Sequence, residues 1–199
     1  MTSDTWIIML HQMLFQGMFF AKNVVLRRRL NQPIRGFNLE ANLSIAFFAI
    51  FIGVALWLSL GLNTHRATGL AGGVAQSFSA LLMLASLGIG AASLNDLGDS
   101  WRVGVIEEQQ TELIERGVYR FSRHPYFLAY LLLFAAYTIL LQSFLLLVLS
   151  VIGFGLVHGM ILREERYLAD KHPADYERYR QRVSRYLNLR KAIGWTPRS

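Results

Sequence analysis

The chain has 199 residues, of which 53% are hydrophobic, 13% aromatic and only 17% charged, too apolar for an ordinary soluble domain and enough for one compact helical one. It has no cysteine, which excludes disulfides, thiolate nucleophiles and cysteine-ligated metals. A net charge of +7 would suit nucleic acid, but the basic residues hug apolar runs, where anionic lipid is the better partner.

A membrane-crossing helix needs about 20 mostly apolar residues. Trp6–Leu26 is the first candidate, the least greasy because it holds Gln12, Gln16 and Lys22. Its amino end carries Asp4, and Lys22, Arg27, Arg28 and Arg29 follow it, the reverse of a signal peptide's charge order. It is expected to be a retained anchor with its N-terminus outside. Leu43–Leu62 and Val74–Leu94 are the second and third spans. The run Tyr126–Leu162 is 37 residues long, about 55 Å as a helix, nearly twice the roughly 30 Å of a hydrocarbon core. It must fold back, and Gln142-Ser143 is the polar break near its middle. The expected fold class is therefore an all-α integral membrane protein of about five spans, 6–26, 43–62, 74–94, 126–141 and 144–162. The last two spans form a hairpin.

Charge sets the expected orientation. If residues after span one, the loop 95–125 and the tail 163–199 share one face, that face holds 19 of the 20 basic residues, with Arg66 alone opposite. The positive-inside rule makes this face cytoplasmic, with the N-terminus outside, and the expected location is a bacterial inner (plasma) membrane. The Arg123-His124-Pro125 loop and the Glu164-Glu165 pair then return to the same face and can form one pocket.

Pro125 disfavours helix at His124 and suits the first turn of the helix after it. Arg123 and His124 thus precede a helix N-terminus, whose free amides attract anions; the plainer reading is a snorkelling arginine beside an interfacial histidine. Glu164 and Glu165, about 100° apart on a helix, are expected to serve different partners. They are either a solvated exit paired with Arg163 or Arg166, or contacts for a cationic ligand. Gly88-Ile89-Gly90 lacks the strand–helix context of a nucleotide loop and reads as small-residue packing. His158 reads as a hydrogen-bonded packing residue, and no metal-ligand spacing or nucleophile–base set is present. The tail from Arg163 to Leu189 alternates Arg, Tyr and acids with helical spacing, as an amphipathic helix on the membrane would.

Taken together, Leu113-x-x-x-Gly117-x-Tyr119, then Arg123-His124-Pro125, resembles the first signature of the isoprenylcysteine carboxyl methyltransferase and phospholipid methyltransferase family. Glu164-Glu165-x-x-Leu168, followed by Tyr176, Tyr179 and Arg185, is similar to its second. The resemblance covers roughly Gly88 to Arg185. Phe127 and Ala129 stand where the family has Tyr and Gly, Tyr126 carries a shifted Tyr, and His172-Pro173 replaces a Phe-Gly pair. The resemblance implies an S-adenosylmethionine-dependent integral-membrane methyltransferase with no Rossmann domain. It places Leu113, Tyr119, Arg123, His124, Glu164, Glu165, Gly88 and Gly90 at the cofactor. It implies a lipophilic acceptor entering from the bilayer: an isoprenylcysteine carboxylate, a lipid amine or a thiol. Membrane lipids are the other expected partners, and nucleic acid is not one. Arg163, Glu165 and Arg123 are the expected catalytic residues, with Arg163 steering an acidic acceptor. Two alternatives remain open: a nicotinamide-dependent membrane reductase related to the sterol reductases, and a non-catalytic adaptor binding anionic head groups.

Overall fold

A computed structural model describes residues 2–30, 39–61, 72–101 and 112–187. Arg35, Arg66, Arg102, Arg190, Lys191 and Arg198, six of the residues in the charge assignment, lie outside them. Within an apolar solvent every backbone N–H and C=O must be satisfied inside the chain, so long apolar runs become helices. The order is α1 (Ser3–Leu30), α2 (Leu39–Ser59), α3 (Gly72–Leu97), α4 (Pro125–Leu141), α5 (Phe144–Lys171) and α6 (Pro173–Arg182), with short 3-10 turns at Gly98–Ser100 and Gly117–Arg120. No strand occurs among the described residues. The chain is an all-α membrane protein.

Among the described residues three helical stretches are long and apolar enough to cross a membrane: 42–59, 73–100 and 144–171. Of the other two expected spans, α4 is apolar but only 17 residues long. α1 is 28 residues long but carries Asp4 and three terminal arginines. The expected fold-back at Gln142-Ser143 is present. Gln142 closes α4 in the left-handed region at φ 48°, and Ser143 Oγ caps α5 by accepting from the Leu146 amide at 3.4 Å. Thr138 and Ser150 hydroxyls, 2.8 Å apart, tie the two arms of the hairpin.

One expectation is corrected. The tail is not a single amphipathic helix from Arg163 to Leu189. α5 runs straight through Arg163-Glu164-Glu165 to Lys171, because Glu, Arg, Leu and Ala continue a helix at little cost. His172, at φ −132° and ψ 60°, then breaks it, and Pro173 starts α6 at its first position. After Arg182 the chain runs as a non-helical strap over 183–187.

α3 packs along α4 more extensively than any other pair. The core between helices is rich in aromatics, with Phe15, Phe51 and Tyr137 fully buried. Close approach between helices is what holds them in lipid. At Gly153 an added Cβ would stand 2.7 Å from the Phe134 ring and 2.9 Å from Phe47, so α5 meets α2 and α4 there only because the residue is glycine. α1 is held to the bundle by polar stitches along its length. Thr5 donates to the Ser59 carbonyl at 3.0 Å, and His11 Nδ1 and Gln12 Nε2 each lie 2.8 Å from the Tyr137 hydroxyl. Trp101 Nε1 donates to Asn23 at 2.8 Å. The start of α4, the charged end of α5, and α6 meet at one end of the bundle.

Candidate functional site

The site begins with a loop set by glycine. Gly117 has φ +58°, and a Cβ there would fall 1.9 Å from Asp96 Oδ2 at the end of α3. That carboxylate accepts from the Val118 amide at 2.8 Å and so fixes the 3-10 turn carrying Tyr119. The Tyr119 carbonyl in turn accepts from the Tyr179 hydroxyl at 2.7 Å, which binds the loop to α6. Ser122 Oγ accepts from the His124 amide at 3.1 Å and donates to the Arg185 carbonyl at 3.2 Å. The Arg123 amide donates to the Ser184 carbonyl at 3.0 Å. Pro125 then opens α4, as expected, with His124 as the residue before it. The Ser122 and Ser184 contacts thus fix the backbone that carries Arg123 and His124.

Both side chains turn to the end of α5. Glu165 Oε1 lies 2.9 Å from Arg123 Nη2 and 3.2 Å from His124 Nε2. Arg185 grips the same carboxylate with two bonds, Nε to Oε1 at 2.9 Å and Nη2 to Oε2 at 2.8 Å. The other ring nitrogen of His124, Nδ1, lies 3.2 Å from Glu164 Oε2. The adjacent acids thus serve different atoms of one imidazole. A neutral ring would aim a lone pair at one carboxylate, so this geometry selects the doubly donating imidazolium. Burial by itself works against that charge, yet the two carboxylates outweigh it and raise His124 above the ordinary histidine value. With His124 charged, three cations face two carboxylates and leave one net positive charge.

Polar capacity is left over at two places. Arg123 is buried, donates from Nη1 to the Tyr176 hydroxyl at 3.2 Å and lies 5.8 Å from that ring, but its Nε has no partner among the described residues. Glu164 keeps a side chain 41% exposed, against 11% for Glu165. Burial, against the pull of Arg123, pushes the Tyr176 phenol up to about 12, so it stays a neutral acceptor for the guanidinium.

The raised His124 fixes a pH dependence. A group whose folded pKa exceeds its unfolded value of about 6.5 contributes its full stability below that value and loses it as pH climbs through the folded one. Thermal unfolding in detergent should therefore show a plateau up to about pH 6.5 and a decline above it. His124→Asn should sit lower and lack that decline; an unchanged slope in the variant would assign the titration elsewhere.

The remaining expected residues are spread around this centre. Leu113 packs with Leu168 on the buried cluster Tyr176, Tyr179 and Val183, under the loop. Tyr119 is buried at 7% exposure. Arg163 is exposed at the same end of α5, one residue before Glu164. Gly88 and Gly90 point to different faces of α3. A Cβ at Gly88 meets nothing within 4 Å, whereas one at Gly90 meets Met18, Phe15 and Ala129, so Gly90 serves the packing of α1, α3 and α4. Asp96 and Ser122 were not singled out from the sequence. The signal available was an acid ending an apolar helix, and a serine beside Arg-His-Pro. Neither has meaning until the loop folds onto them.

A family model described as phospholipid methyltransferase matches residues 74–174, half of the chain. The chain belongs to the phospholipid methyltransferase family. No curated protein matches it at a significant level. The matched region runs from α3 into α6 and contains both charged motifs, the loop at Arg123-His124 and the Glu164-Glu165 exit. α1 and the strap 183–187 lie outside it, yet each completes a contact: α1 behind α4, and the strap at Glu165.

Proposed function

We propose that the protein transfers a methyl group from S-adenosylmethionine to an amphiphilic acceptor at the cytoplasmic face of a bacterial inner membrane. The observation that carries this reading is the clamped imidazolium of His124 between Glu164 and Glu165, beside a buried guanidinium with a spare donor. An amino-acid zwitterion needs this pairing. Its carboxylate suits the surplus positive charge and the free Nε of Arg123, and its ammonium suits the half-exposed Glu164. The residues present fit the cofactor.

When bound, S-adenosylmethionine supplies a methyl already activated on a sulfonium. The chain's residues therefore have to bind, align and exclude water more than to generate a nucleophile. In this reading Glu165 organises: its oxygens hold Arg123, His124 and Arg185 in fixed directions. Glu164 and Arg123 face the ligand. Tyr119 and Leu113 close the adenosine side, and the open backbone at Gly88 lets a ligand approach α3. Gly90 keeps α1 close. Arg163 draws an acidic acceptor group from the membrane surface. The positive-inside asymmetry supports placing the site toward the cytosol. A carboxylate, amine or thiol on a lipid tail remains within the acceptor range.

S-adenosylhomocysteine should raise the unfolding temperature of the purified protein, and Glu164→Gln should weaken its binding by about tenfold or more, the loss of one charge-assisted bond, at near-native stability. Membranes given methyl-labelled cofactor should yield labelled lipid on extraction. A protein stabilised by NADPH and indifferent to S-adenosylhomocysteine would replace this reading with the reductase.

A further inference from the structure

The apolar stretch of α5, residues 144–162, contains one ionisable side chain, His158. A polar ring in such surroundings is costly unless bonded, and it tends to be placed for a purpose. His158 lies seven positions before Glu165, so the two share a face of α5, with His158 about 10 Å closer to the hairpin turn. Its Nδ1 stands 2.7 Å from the hydroxyl of Tyr186. The two rings stack at 6.2 Å and 27°, and Phe154 stacks on His158 at 5.9 Å and 15°.

Tyr186 belongs to the strap that follows α6. The three consecutive residues of that strap each hold a different part of the site. The Ser184 carbonyl accepts from the Arg123 amide, Arg185 grips Glu165 and takes Ser122 Oγ on its carbonyl, and Tyr186 reaches His158. The strap is neither helix nor strand, so no regular backbone ladder fixes it. Beyond these anchors it is held by Val183, buried on Tyr176 and Tyr179 with its amide on the Tyr179 carbonyl, and by the Tyr186 ring on Phe154. The Arg185 side chain is about one-third exposed and long, so a two-bond grip on Glu165 is entropically expensive unless its backbone is already immobile.

We propose that His158 and Tyr186 form a latch that seats the strap on α5 and so positions Arg185 on Glu165; both are positioning residues for the cofactor site. Arg185 neutralises Glu165 through both oxygens, sharing Oε1 with His124. Without it, Glu165 draws Arg123 and His124 inward as its remaining partners, and Glu164 loses the imidazole direction it shares. The latch thereby acts on ligand affinity through Arg185 and Glu165, with no contact of its own to the ligand.

This rests on the cofactor reading above, and the test keeps the two apart. Full-length protein in detergent is titrated with S-adenosylhomocysteine, and amide exchange is followed at Arg123, whose N–H is bonded to the strap. Tyr186→Phe and His158→Ala should each weaken S-adenosylhomocysteine binding by about tenfold, the worth of one buried hydrogen bond, and should speed Arg123 exchange. The double variant should be no weaker than either single one, because both remove the same contact. His158→Asn, whose amide oxygen can accept from the Tyr186 hydroxyl in place of Nδ1, should restore both readouts. Should one variant fail to fold, the comparison of the others with His158→Asn decides the matter. Native affinity in Tyr186→Phe and His158→Ala, even with a lowered unfolding temperature, reduces the pair to packing and overturns the proposal. If native protein does not bind S-adenosylhomocysteine at all, the cofactor reading fails, and the Arg123 exchange alone then decides whether the latch exists.

Discussion

Glu165→Ala should be the most damaging single substitution in this protein. It removes the one carboxylate among the described residues that contacts Arg123, His124 and Arg185 together, and leaves Arg123, 7% exposed, without an ionic partner among them. Taking one member from a buried pair costs about 3–5 kcal/mol, because the orphaned charge stays desolvated. A drop of that size should appear as a large fall in unfolding temperature together with complete loss of S-adenosylhomocysteine binding. Glu164→Ala is the informative contrast. Its side chain is 41% exposed and meets only His124 Nδ1 among the pairs described, so its effect on stability should be small while affinity still falls. If both variants lose stability alike, the division into an organising and a ligand-facing acid is wrong.

The second large effect is expected at Gly117→Ala. The positive φ costs an L-residue about 1–3 kcal/mol, and the new methyl overlaps the Asp96 carboxylate. Asp96 must swing away, which breaks its bond to the Val118 amide and frees the turn under Tyr119. The damage reaches Arg123 through the loop, so ligand affinity and stability should fall together. Combining Gly117→Ala with Asp96→Ala removes the overlap but keeps the backbone strain. Partial recovery of unfolding temperature in the double variant would separate these causes; no recovery would place the whole cost in φ.

The second effect travels through a loop whose motif is legible in the sequence but whose contacts are not. Gly117 and Tyr119 were visible as members of a spaced motif, but the motif does not say why glycine is needed. The reason is Asp96, which lies 21 positions earlier on another helix. Arg185 was visible in the tail block, as were Tyr176 and Tyr179. Their jobs were not, because each acts on a partner 20 or more residues away: Arg185 on Glu165, Tyr176 on Arg123, Tyr179 on the Tyr119 carbonyl. His158 was rightly read as a hydrogen-bonded residue, but its partner in the strap was invisible. The tail was misread as one helix because Arg, Tyr and acid spacing continues across His172-Pro173, while the proline ring and the backbone of the residue before it break the helix locally.

The sequence by itself determined the class of molecule, the hairpin and the helix start at Pro125. These follow from solvent and short-range sterics: apolar runs too long for one crossing must fold, and proline restricts its own neighbour. Tertiary structure alone decided which acid is buried, that one imidazole bridges both, and that a strap beyond the family match completes the charge cluster. Those outcomes depend on distances between helices and on desolvation, and neither is written in the spacing of residues along a single chain.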